Sequence, residues 1–217
     1  MKIDIEYERI LDKALAEQPV TRTEAIRLMQ IDLQSPEMYA LCATADMLSR
    51  RHFNNTGDVC AQIGLDFAPC PNNCAFCVFA AQHGIVREII EYPKEAVVRA
   101  ALECEKQKAN AIYLMTTGHY KFDKFLEIGY AVHKATSPEM PLVANIADFG
   151  DDEAHALVEA GFSSIYHAVR LNEGKDTEIP LEKRLATIEA AHRAGLALNF
   201  CVEPVGPEHS IEQQVEL

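Results

Sequence analysis

From residue 61 onward, short apolar runs alternate with longer amphipathic stretches, and no other feature constrains the fold as tightly. A short apolar run reads as a parallel strand buried on both faces, and the amphipathic stretch after it as a helix covering one of those faces. Five strands are expected, at Gln62–Phe67, Ala111–Thr116, Leu142–Ala147, Ser164–Val169 and Leu198–Val202, with helices near 93–108, 121–136, 151–160 and 180–194 between them. Gly161 and Gly195 follow the third and fourth of these helices, where a left-handed cap residue is expected because glycine has no Cβ to clash. A sheet of this kind with crossovers of one hand curls, so the expected fold class is α/β, a partial (βα) barrel preceded by N-terminal helices. Chemistry in such barrels collects at the C-terminal ends of the strands. Residues 70–77, 116–119, 145–149, 170–173 and 203–206 are therefore expected around one mouth.

Ahead of the alternation, residues 4–51 carry apolar side chains at helical spacing, among them Ile10, Leu11, Ala14 and Leu15, then Ala25, Ile26, Leu28 and Met29. Thr21 or Thr23 is suited to cap the second helix with Glu24 in its first turn, and Ser35-Pro36 to open the third. The expected organisation is a helical preface over 1–54 and a barrel over 55–217. A six-stranded barrel would lack its last strand, because the chain stops at Leu217 inside the fifth helix; a fragment and a protein shorter than its relatives are both open readings. The 217 residues are 48% apolar, enough for a substantial core. No apolar run approaches the roughly 18 residues of a membrane span, and the charged segment Met1–Glu8 lacks the apolar stretch of a signal peptide, so a soluble cytoplasmic protein is expected. A net charge of −13 argues against nucleic acid, whose phosphates are neutralised by Lys and Arg, and in favour of small molecules or protein partners.

The chemistry is signalled by cysteine. Of seven cysteines, Cys70, Cys74 and Cys77 crowd into eight residues as C-x3-C-x2-C on the loop after the first strand. That suits a thiolate-ligated metal in a reducing compartment better than a disulfide framework. A zinc site would want four ligands, commonly in two pairs, and Cys42, Cys60, Cys104 and Cys201 supply no second pair. Three close thiolates suit an iron–sulfur cluster with one iron left open. Pro71, Asn72 and Asn73 are residues of a tight loop that lets ligands converge.

In this spacing and position the chain resembles the radical S-adenosylmethionine (SAM) superfamily, whose hallmark is C-x3-C-x2-C after the first barrel strand. The resemblance implies a [4Fe-4S] cluster on Cys70, Cys74 and Cys77, with SAM chelating the open iron and cleaved reductively to methionine and a 5′-deoxyadenosyl radical. Phe76 matches the aromatic that members place beside the adenine. Thr116, Thr117 and Gly118 end the second strand where members receive the SAM amino group, although the usual glycine pair and acidic residue are replaced and an ordinary strand-end turn is the alternative. Arg170 resembles the arginine that pairs the SAM carboxylate, the alternative being a surface arginine paired with Glu173 or Asp176. Val205 and Gly206 correspond to a loop flanking the adenine. Asn145 and Asp148 would reach ribose hydroxyls or substrate, or cap a turn. His83, His119 and His167 are open between solvated histidines and substrate contacts.

The helical preface, the segment 55–59 and the long barrel half make the chain most similar to the biotin-synthase-like group, which includes biotin synthase, methylornithine synthase and hydrogenase-cofactor maturases. Biotin synthase carries a second cluster on neighbouring strands. Here only Cys201 falls in a matching place, so biotin formation is disfavoured and a one-cluster reaction on a small molecule in cofactor or vitamin biosynthesis is expected. Cys201 would then pack in the barrel, bind substrate or form a transient adduct. The resemblance also implies an electron donor such as flavodoxin or ferredoxin. The unfinished barrel edge allows a homodimer. The competing readings are an iron–sulfur electron-transfer protein or a scaffold that does not cleave SAM.

Overall fold

The computed structural model describes residues 3–217, which divide into two compact units. One comprises the described residues through Gly57 together with Val205–Leu217. Its helices are α1 (Ile5–Leu15), α2 (Arg22–Met29), α3 (Pro36–Phe53) and α8 (Ile211–Glu216). Each begins where an oxygen-bearing side chain satisfies backbone N–H groups that have no partner within the helix. Asp4 caps α1, Thr21 and Glu24 form a reciprocal box on α2, and Ser35 caps α3 with Pro36 in its first turn. Asn54, left-handed at φ 49°, ends α3.

The second unit, Asp58–Pro204, holds a five-stranded sheet in the order β1 (Cys60–Gly64), β4 (Ala111–Met115), β5 (Leu142–Asn145), β6 (Ser164–Tyr166) and β7 (Ala197–Asn199). Every pairing is parallel. The crossovers contain α4 (Lys94–Lys106), α5 (Phe122–Ala135), α6 (Asp151–Glu159) and α7 (Leu181–Arg193), which is the expected α/β partial barrel. Gly161 (φ +95°) and Gly195 (φ +83°) follow α6 and α7 in the left-handed conformation the sequence suggested. Among the described residues, no helix is long and apolar enough to cross a membrane.

Register sorts the strand residues onto two faces, because paired residues of neighbouring strands point the same way. Ile112 pairs with Leu142, and Leu114 with Ala144, which pairs in turn with Ile165. These five are fully buried with Val97, Phe125, Val132 and Leu157 of the helices, and this layer is the core. On the opposite face, Gly64, Met115 and Asn145 form one row and Gln62, Tyr113 and Val143 the next. The concave side thus carries the polar and polarisable residues.

Each strand ends short of its expected boundary, β4 at Met115, β5 at Asn145 and β6 at Tyr166. The first strand ends at Gly64, and Asp66–Phe67 (β2) turns away to pair antiparallel with Ile90–Glu91 (β3). The last strand ends at Asn199, leaving Cys201 beyond the ladder. Residues 205–217 do not continue the barrel unit: α8 packs on α2, where Arg22 pairs with Glu216.

Gly129 shows how tightly the core closes. A Cβ there would lie 2.3 Å from Cε2 of Phe162, whose ring stacks on Phe125 at 5.1 Å. Helix propensity favours Gly129→Ala by about 1 kcal/mol, but overpacking costs about 1–3 kcal/mol. We expect the substitution to lower the denaturant midpoint and Phe162→Leu in the same background to restore part of it, measured by chemical unfolding.

Candidate functional site

The cysteine loop is held by its own backbone. Cys70 N–H donates to the Phe79 carbonyl at 2.6 Å and its carbonyl accepts from Ala81 at 3.0 Å, closing the loop at its base. Within it, Cys77 N–H bonds the Cys74 carbonyl at 2.9 Å and Asn73 takes φ 45°. Gln82 clasps Asn73 through its own N–H at 3.0 Å and its side-chain amide at 2.9 Å. The far side is tied to the loop after β6: Ala75 N–H donates to Asp176 O at 2.7 Å and Glu178 N–H to Asn72 O at 2.9 Å.

All three thiols line a cavity of about 480 Å³ at the strand ends, with Gly64, Asp66, Thr116, Gly118, Asn145, His167, Arg170 and Arg184 among its other walls. That is within the usual range for a small-molecule site, roughly 300–1,000 Å³. Gly118 donates its N–H to Cys70 Sγ at 3.3 Å, and a Cβ on it would sit 2.7 Å from Asn72 Nδ2, so the strand end approaches the cysteine loop as closely as glycine permits. Burial pushes the Cys74 thiol up. Arg170 opposes this, while Cys77 and Cys70 act with burial. Three thiols in the lining of one cavity suit thiolate ligation of a cluster. Among the described residues, no three His, Cys, Asp or Glu side chains form a group that could hold a single metal ion.

The opposite wall is cationic. Arg170 follows β6, and Arg184 projects from α7 with its side chain only 8% exposed. Between them lies the buried Glu173 carboxylate. Its Oε2 accepts from the Arg170 backbone N–H at 3.1 Å and lies 3.8 Å from Arg170 Nη1 and 3.7 Å from Arg184 Nε, and its Oε1 accepts from the Thr177 hydroxyl at 2.5 Å. Asp148 Oδ1 sits 3.4 Å from Arg184 Nη1 and 3.2 Å from His167 Nε2. Arg170 Nε and Nη1 and Arg184 Nε remain buried without a hydrogen-bond acceptor. An unmet buried donor costs about 1–3 kcal/mol, more when charged. Arg170 and Arg184 both line the cavity, and a forked guanidinium suits a carboxylate.

Of the residues the sequence singled out, Cys70, Cys74, Cys77, Thr117, Gly118, Asn145 and Arg170 line this one cavity. Thr117 does so with its N–H and hydroxyl both committed to the buried Asp66 carboxylate, at 2.8 and 2.5 Å. Asn145 Nδ2 donates to the Tyr166 carbonyl at 2.8 Å, leaving the amide oxygen. Phe76 is 43% exposed and is not a lining residue; its ring centroid lies 5.7 Å from Arg170 Cζ. Val205 and Gly206 belong to the helical unit and are likewise absent from the cavity wall; Gly206 N–H donates to His209 Nδ1 at 3.1 Å. Arg170 does pair with Glu173, but in the interior rather than at the surface. Asp148 is neither a ribose contact nor a turn cap but a buried ion-pair partner. Of the three histidines only His167 lines the cavity, while His83 is spent on the Ala75 carbonyl at 2.9 Å. The sequence reading missed Asp66 and Arg184; Glu203, expected at the mouth as part of 203–206, is among the lining residues. Arg184 was findable: it shares the buried stripe of α7 with Thr187 and Ala191, an unusual place for an arginine.

No family model matches the chain. It is 30% identical over 204 residues to the biotin synthase of Desulforudis audaxviator (strain MP104C), covering 89% of this chain and 60% of that one. It is 30% identical over 217 residues to the biotin synthase of Cenarchaeum symbiosum (strain A), covering 95% and 65%. The chain thus spans about three fifths of the length of these relatives. Its fold is that of methylornithine synthase (PylB), with a TM-score of 0.83 at 14% identity over 95% of this chain and 62% of that structure. It is equally that of HydG, a maturase of the [FeFe]-hydrogenase, at TM-score 0.81 and 14% identity over 99% and 49%.

His167 generates a pH dependence. Burial, more than any neighbour, pushes its pKa below the ordinary 6.5, against the upward pull of Asp148. As pH falls below 6.5 the unfolded chain takes up a proton that folded His167 refuses, so stability drops until pH reaches the lowered native value. Asp148 acts in the same direction at lower pH. Burial favours its neutral form, but the His167 hydrogen bond and the Arg184 charge hold its pKa below 3.8, and that stabilisation is lost as pH falls through the native value. We expect the unfolding free energy to decline from pH 6.5 downward and His167→Asn to flatten the upper part of that decline, measured by urea titration across pH.

Proposed function

This chain is a biotin-synthase-like member of the radical SAM superfamily, and from that premise we propose that it is an enzyme holding a [4Fe-4S] cluster on Cys70, Cys74 and Cys77 and binding SAM in the adjoining cavity. The observation that carries the reading is that Arg170 and Arg184 line the same cavity as the three thiols. Arg170 receives the SAM carboxylate, and Arg184 holds the charge of that wall through Glu173 and Asp148. The turn at Thr116–Gly118, fixed by Asp66, offers backbone groups to the amino end of SAM, and Gly118 N–H stabilises the Cys70 sulfur. The free amide oxygen of Asn145 serves a ribose hydroxyl or substrate. Bound there, cluster and SAM supply the reductive cleavage that yields methionine and a 5′-deoxyadenosyl radical.

The radical acts on a small molecule, in cofactor or vitamin biosynthesis, with a flavodoxin or ferredoxin as electron donor in the cytoplasm. Sulfur insertion of the biotin kind is disfavoured, because β4 and β5 carry no cysteine for a second cluster.

The test is anaerobic reconstitution with iron and sulfide, dithionite reduction with SAM, and chromatography for 5′-deoxyadenosine. We expect 5′-deoxyadenosine from the wild type, none from Cys74→Ala, and at least tenfold weaker SAM binding in Arg170→Ala. A reducible cluster that leaves SAM intact would move the assignment to an electron-transfer or scaffold protein.

A further inference from the structure

The cavity has further polar lining besides the arginines. Tyr166 ends β6 on the concave face, and its hydroxyl lies 2.5 Å from Glu203 Oε1 and 2.7 Å from Cys201 Sγ. Tyr113 supports it from β4, edge to face, with ring centroids 6.0 Å apart. Tyr166 and Glu203 line the cavity together with Gln62, Met115 and Asn145. Burial and then the bonds to Cys201 and Glu203 push the Tyr166 phenol far above its ordinary range, and burial likewise pushes the Cys201 thiol up. Tyr166 is therefore a neutral donor to Glu203, held in turn by the neutral Cys201 thiol, and it orients the carboxylate without cancelling its charge. Among the described residues, no ion pair includes Glu203. By contrast, Arg170 and Arg184 are matched by Glu173 and Asp148. Glu203 is exposed to solvent where it borders the cavity, and a carboxylate oriented by a tyrosine hydroxyl at that place is complementary to a positive group entering from solvent.

We propose that Glu203, oriented by Tyr166, is the subsite for a protonated primary amine of the substrate, so that the small molecule on which this chain acts is an amine. The proposal rests on the reading above in one respect: SAM is assigned to the arginines, which leaves Glu203 to the substrate. An ammonium group has three donors. The second oxygen of Glu203 takes one, and the amide oxygens of Gln62 and Asn145 in the same lining provide for the others. The Tyr166 ring adds a face able to receive a cation. A neutral or anionic analogue of the same length would leave the carboxylate without its complement.

The probe is n-butylammonium, with n-butanol and butyrate as neutral and anionic counterparts, followed by ligand-observed NMR on the reconstituted protein, with and without SAM. Saturable binding of the ammonium but not of the other two is expected. Glu203→Gln should weaken it at least tenfold and Tyr166→Phe by a smaller factor, while SAM affinity in Glu203→Gln stays within twofold of the wild type. Equal amine binding in wild type and Glu203→Gln, or none in either, overturns the proposal. So does a parallel loss of SAM affinity, which would make Glu203 a contact of SAM itself. Glu203-dependent amine binding in a protein that fails to bind SAM would sustain the subsite while sinking the SAM reading, so the two stand or fall separately.

Discussion

Two guanidinium groups taken out of water beside a cavity are the constraint around which the second unit is arranged. Placing charge in the interior is affordable only when opposite charge and hydrogen bonds go with it. Glu173 and Asp148 provide the charge, Thr177 orients Glu173, and His167 stays neutral beside Asp148. The residues come from the ends of β5 and β6 and from the first turn of α7, so the network can form only when these elements are already packed. Both arginines line the cavity, while Arg170 Nε and Nη1 and Arg184 Nε are buried behind its surface without a hydrogen-bond acceptor.

The cysteine loop depends on the same region. Its contacts to residues 176 and 178 are backbone hydrogen bonds, so they survive changes of side chain and fix the loop relative to Arg170. On the other side, Asp66 holds Thr117, and Gly118 reaches Cys70. The three thiols are thereby referenced to two strand ends at once. A site held from several directions by rigid elements loses little entropy on binding its ligand, which is the condition for positioning reactive groups to within a fraction of an ångström.

What could be read from the sequence was what short-range spacing encodes. The βα alternation, the caps at Thr21 and Ser35, the left-handed Gly161 and Gly195 and the C-x3-C-x2-C loop all depend on neighbours within a few positions, and each has a stereochemical cause visible in a short window. Asp66 was absorbed into a strand because nothing local shows that its carboxylate will reach Thr117, 51 positions away. Glu203 was expected at the mouth, but nothing local shows that its carboxylate will accept from Tyr166, 37 positions away. Val205 and Gly206 fall in the unit that holds α2 and α8, whose packing includes the tertiary pairing of Arg22 and Glu216 and follows from no local pattern. Arg184 lies between these cases, its signal being a charge at an apolar position of an amphipathic helix.

The two faces of the sheet divide the labour of the second unit. Residues proposed to hold the cluster and SAM come from loops and strand ends: the cysteine loop, the turn at 116–118, the segment after β6. Other lining residues come from the inner face of the strands, Gln62 and Met115 among them, and from Glu203 after β7. The core layer of Ile112, Leu114, Leu142, Ala144 and Ile165 lies on the other face of the same strands. The inner face carries two tyrosines in edge-to-face contact and a carboxylate bonded by one of them, while β4 and β5 carry no cysteine, and it is on this donor chemistry that the proposed preference for a one-cluster reaction rests.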